Sequence, residues 1–141
     1  ASLLATAWRL TYLDPLRAAS FGARAAELAE AQGDARTAVY GRFLQAFCEI
    51  RYGSHEQGAS WLDAVEPAFD RLDDQRGRWL CQDARAIVLR REGRYADSQR
   101  MTEALMALPA AARAPVDRFI TLVSFCINCK LLGRLDDSLR A

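Results

Sequence analysis

Residues 91–98 read REGRYADS, and residues 131–138 read LLGRLDDS. Glycine, arginine, an apolar residue, a variable one, aspartate and serine recur in one order, forty positions apart. The same step separates Gly53, Gly93 and Gly133. Sliding the chain by that period superposes Val39, Trp79 and Phe119, then Tyr40, Leu80 and Ile120, then Phe47, Ile87 and Ile127. Ala46, Ala86 and Cys126 also coincide, and all are small. Leu3, Ala7 and Leu10 fall in step with Phe43, Phe47 and Ile50, so the first helix reads as an earlier copy, with Leu13-Asp14-Pro15 in place of the glycine turn. A period of this length, built from two helices, marks an α-solenoid.

The residue types support helices throughout. Alanine, leucine, arginine and glutamate dominate, and strand signals are nearly absent. Asp14-Pro15 supplies an N-cap and a proline at the first helical position. Gly33-Asp34 ends one helix and caps the next, and Ser54 with Gln57 forms a capping box. Asp73-Asp74 restarts the chain. These signals predict helices at about 2–13, 15–32, 35–52, 55–72, 75–92, 95–108, 115–132 and from 134 onward. Trp61, Leu62, Val65, Phe69 and Leu72 keep helical spacing across Pro67, which predicts a kink and not a stop. Short connections require antiparallel hairpins. The expected fold is all-α: one domain over residues 1–141, with repeats at about 1–33, 34–73, 74–113 and 114–141.

The composition is that of a globular chain, 51% apolar and 26% charged, and a net charge of +1 gives no field suited to nucleic acid. No apolar run approaches a membrane span, and the opening residues lack the basic region of a signal peptide, so the expected location is the cytoplasm. Nearly all basic residues are arginine and alanine is abundant, a GC-rich bacterial composition.

GRYADSQRMTEAL at 93–105 resembles the turn and second helix of a tetratricopeptide repeat, and GRLDDSL at 133–139 matches the same stretch. Ser98 and Ser138 stand where that family has alanine, and the period exceeds its usual length. The longer repeats in sensory regions of bacterial signalling proteins are similar. These lie ahead of GGDEF diguanylate cyclase domains or within LuxR-type regulators. The resemblance implies a right-handed superhelix whose concave groove binds a protein, a peptide or a small ligand. It also implies that Phe43, Asp83 and Val123 face that groove, that Phe47, Ile87 and Ile127 follow one turn later, and that Ile50, Arg90 and Lys130 come next. The expected groove is therefore Phe43, Phe47, Asp83, Ile87, Arg90 and Lys130: an apolar floor, an acidic spot and a basic edge. A second reading of Asp83 is a structural ion pair with a nearby arginine, since a carboxylate among apolar neighbours needs a partner.

Other candidate chemistry reads as structural. Cys126 and Cys129 form a C-x-x-C in mid-helix, not at a helix N-terminus where the dipole activates a thiol. Cys48 and Cys81 supply no second pair for zinc, so the expectation is four unbridged cysteines, no metal and no cofactor. His55 has no second histidine, and neither Ser98 nor Ser138 has one in register, so no catalytic residue is expected. Arg90, Arg91 and Arg94 suit a solvated helix end.

Leu122 and Phe125 form an expected interaction face. Their equivalents in the earlier copies are polar: Arg42 and Gln82, then Gln45 and Arg85. The helix opened at Gly133 is shorter than its counterparts, which reads as a fragment of a longer protein. The patch would be covered by a further repeat, by a second copy of the chain, or by that last helix folding back. Two functions follow: a non-catalytic sensor that binds through its groove, or a self-association module that dimerises an attached output domain.

Overall fold

The computed structural model describes residues 2–134 and 139–141. Ser138 and the start of the helix expected after Gly133 lie outside the described residues. Among those described the chain is all-helical. The helices are α1 (Leu3–Leu10), α2 (Pro15–Ala31), α3 (Ala35–Tyr52), α4 (His55–Arg71), α5 (Gln75–Arg91), α6 (Tyr95–Met106) and α7 (Pro115–Leu131), with one 3-10 turn at Ala110–Ala112 before α7. α4 runs through Pro67 without a stop.

Caps set the boundaries. Asp14 accepts from the Arg17 amide at 3.2 Å, Asp34 from Thr37 at 3.1 Å, and Ser54 from Gln57 at 3.1 Å. Asp74 is buried and takes the Gly77 amide at 3.0 Å and the Tyr40 hydroxyl at 3.0 Å, while Arg36 pairs with its other oxygen.

The recurring glycines all follow a helix, but they do not share one geometry. Gly93 and Gly133 adopt φ of 81° and 73°, and the next amide reaches back to Leu89 at 2.9 Å and to Cys129 at 2.6 Å. Gly33 does the same at the end of α2, and Asp73 takes the left-handed role at φ 50° after α4. Gly53 has a negative φ of −118°, and the Glu49 carboxylate, not a carbonyl, receives the Ser54 amide at 2.9 Å.

The chain divides into two compact units, residues 1–78 and 79–141. In the first, α2 and α3 cross with their backbones almost touching. A Cβ on Gly41 would stand 2.6 Å from the Gly22 carbonyl oxygen. Around this crossing a core of Phe43, Leu44, Phe47, Ile50, Leu62 and Phe69 is fully buried. Phe43 stacks on Trp8 at 6.1 Å and on Phe47 at 5.6 Å, and meets Phe69 edge-on at 6.3 Å.

The second unit has a more polar interior. Asp83, Ser98, Thr102, Thr121, Ser124 and Asn128 are all buried beside Leu80, Ala84, Ala86 and Ile120. Ser98, on α6, donates to the Ala86 carbonyl on α5 at 2.6 Å and accepts from Asn128 on α7 at 2.8 Å. One hydroxyl therefore joins three helices, which accounts for serine at that position. Ala86 has no exposed surface. Ala86→Leu is expected to overpack this contact and cost about 1–3 kcal/mol. A thermal melt measures this, and an unchanged midpoint would contradict the close approach.

Candidate functional site

Of the six expected groove residues, Phe43 and Phe47 belong to the first unit and Asp83, Ile87, Arg90 and Lys130 to the second. Phe43, Phe47, Asp83 and Ile87 are buried and present no surface to a partner. These four side chains are used for packing inside the chain. Arg90 is half-buried, with a guanidinium nitrogen 3.5 Å from the Asn128 side-chain oxygen, and Lys130 is exposed. All four cysteines are free, and Cys129 accepts from Gln99 at 3.4 Å.

Asp83 is held by a buried network. Arg113, in the connection before α7, donates to one carboxylate oxygen at 2.7 Å and to the Thr121 hydroxyl at 2.6 Å. Thr121 donates to the other oxygen at 2.5 Å. The Arg113 guanidinium also lies 5.9 Å from the centre of the Trp79 ring. Burial pushes the Asp83 carboxyl up to about 6; Arg113 and Thr121 pull it back, and Asp117 adds a smaller upward push. The arrangement straps the irregular segment between α6 and α7 onto α5. It is the ion-pair alternative, with its partner now identified.

A more accessible site lies in the first unit. A cleft of about 460 Å³ opens between α3 and α4, beside the end of α2. Ala38, Ala64, Val65 and Ala68 form its apolar lining, Trp61 stands partly exposed at its wall, and Arg42 and Glu30 form the rim. Arg42 reaches both oxygens of Glu30 at 3.2 Å and lies 3.5 Å from the Gln45 oxygen. Small residues make the room and a fixed ion pair orients the rim. Such a volume accommodates one large side chain or a small organic molecule.

The third candidate is the outer side of α7. Leu122 and Phe125 are half-buried, whereas Val116, Phe119, Ile127 and Leu131 are exposed. The more exposed apolar side chains of this helix are thus other residues than the two expected. Phe119 and Ile127 lie two forty-residue periods after Val39 and Phe47, and Phe47 is fully buried.

No family model, curated protein or solved structure matches this chain. Sequence reasoning missed Trp61 and the alanines beneath it, because Trp61 shares the spacing of the buried Leu62, Val65 and Phe69.

Proposed function

We propose that this chain is a non-catalytic binding module of tetratricopeptide-like helical hairpins that takes an apolar side chain of a protein or peptide partner in the Trp61 cleft. The observation that carries this reading is the cleft itself. An open apolar recess walled by tryptophan and rimmed by an oriented arginine has the composition of an interaction hot spot. The likeness to repeats of bacterial signalling proteins supports a sensor or adaptor role in that setting. No helix among the described residues is long and apolar enough to cross a membrane.

Selection of peptides from a random phage-displayed library against the whole chain tests the proposal. The selected peptides should carry an apolar anchor and lose about 30-fold in affinity on Trp61→Ala, the cost of removing a hot-spot tryptophan. Because Trp61 is partly exposed, the variant should stay folded. Equal affinity for wild type and variant would reject the cleft.

The exposed residues of α7 favour a second reading, self-association of two chains through Val116, Phe119 and Ile127. Sedimentation equilibrium separates the two. A mass that rises with concentration and reverts to monomer on Val116→Glu supports self-association, and a constant monomer mass removes it.

A further inference from the structure

A separate patch lies at the edge where α1 turns into α2 and α3 ends. Arg51 is stacked among three aromatic rings. Its guanidinium carbon lies 3.9 Å from the centre of the Tyr12 ring, 4.7 Å from Tyr52 and 5.3 Å from Phe47. Tyr12 and Tyr52 are equivalents in the forty-residue register, so the repeat itself brings two tyrosines to this edge.

The charge at the centre is uncompensated. Among the described residues Arg51 makes no ion pair, and its Nη1 is buried with no acceptor. Other arginines of this unit are engaged: Arg17 pairs with Asp14 at 4.0 Å, Arg42 with Glu30, and Arg36 with Asp74. Asp14 is further committed to capping α2, so it does not answer Arg51.

The surroundings are apolar and open. Leu13 and Leu16 are each 83% exposed, Tyr52 is 51% exposed and Tyr12 is 41% exposed. In chain order Leu13 follows Tyr12 directly, and Leu16 comes after Asp14 and Pro15 at the start of α2. An arginine held flat by aromatics loses little freedom when its edge meets a carboxylate, and tyrosine and arginine are the residues that anchor protein interfaces.

We propose that this patch docks an acidic segment of a protein partner. A carboxylate on that segment bonds the edge of the Arg51 guanidinium, and a neighbouring leucine or aromatic side chain covers Leu13 and Leu16. The chemistry that selects this occupant is the pairing of one unanswered positive charge with an apolar margin. A nucleic acid strand would use the same stacking surface but gains nothing from the leucines, and the chain carries a net charge of only +1.

The test uses the whole chain, isotopically labelled, with two synthetic peptides, acetyl-LDELF-amide and its uncharged counterpart acetyl-LNQLF-amide. The acidic peptide is expected to shift the Arg51 side-chain Nε–H resonance and the Tyr52 amide saturably. The uncharged peptide should bind at least about tenfold more weakly, because a charge-assisted bond is lost. Arg51→Gln should reduce binding by a similar factor. Since Arg51 stacks on the buried Phe47, Leu16→Ser provides a second variant at an exposed position, and it should also weaken binding without altering the melting temperature. The proposal is overturned if neither peptide gives a saturable shift or if both bind equally. It is also overturned if a thymidine oligonucleotide shifts Arg51 while the acidic peptide does not.

Discussion

Asp83→Ala is expected to destabilise the protein by about 3–5 kcal/mol, the cost of breaking a buried ion pair on one side only. The alanine removes the carboxylate that answers Arg113, and Arg113 remains buried with its Nε already lacking an acceptor. It also removes the acceptor of the Thr121 hydroxyl. The pair as a whole is a different matter. Desolvation outweighs the attraction enough to raise the carboxyl to about 6, so the ionised pair is not a strong net stabiliser. The double variant Asp83→Val with Arg113→Met is therefore expected to recover most of the loss, all the more because the equivalents of Asp83 are Phe43 and Val123. Urea denaturation of the two variants decides this. A double variant as unstable as Asp83→Ala would mean that the charges themselves hold the connection in place.

The same residue sets a pH dependence, and its sign follows from the direction of the shift. Asp83 in the folded chain binds its proton at about 6, against an ordinary value of 3.8. Between those values the folded state holds more protons than the unfolded one, so this group makes stability rise as pH falls through about 6 and level off near 4. Asp83→Asn has no such group. The difference in unfolding free energy between wild type and Asp83→Asn should therefore change across that window and stay flat above it. A difference that is constant from pH 4 to 7 would show that Asp83 does not titrate as its burial requires.

Local chemistry made the helices legible, and tertiary context hid the sites. Asp14-Pro15, Asp34 and Ser54 fixed three helix starts because a cap acts within one turn. The small residues at Ala46 and Ala86 marked buried contacts because close approach admits nothing larger. Accessibility is not local. Val39, Trp79 and Phe119 occupy one register, yet Phe119 is exposed, because what covers a helix face is another element and not its own sequence. Trp61 and Leu62 are adjacent in the same apolar run, but one borders a cleft and the other is fully buried. The partner of Asp83 was out of reach for a similar reason. Arg113 is thirty residues away, in the irregular segment, where no periodicity operates.

Phe43→Ala is expected to cost about 3–5 kcal/mol, as for other buried aromatic truncations. Phe43 has no exposed surface and sits where α1, α3 and α4 meet, through Trp8, Phe47 and Phe69. Truncation removes three ring contacts and leaves a cavity that the Gly22–Gly41 crossing cannot close, since those backbones already touch. A residue on a binding groove behaves otherwise: its removal weakens binding and leaves stability nearly unchanged. Lys130→Ala, at an exposed position of the other unit, supplies the contrast and should lie within about 0.5 kcal/mol of wild type. Urea titration of both variants measures the difference, and a Phe43→Ala chain as stable as wild type would contradict this packing role. The experiment also bears on the cleft. Phe69 joins Phe43 to α4, the helix that carries Trp61, so Phe43→Ala should loosen the wall of the cleft without touching its lining. Peptide binding by that variant should then fall in proportion to the unfolded fraction and return when temperature or osmolyte restores folding. Trp61→Ala should instead stay folded and remain unable to bind, which separates the residue that holds the site from the residue that makes the contact.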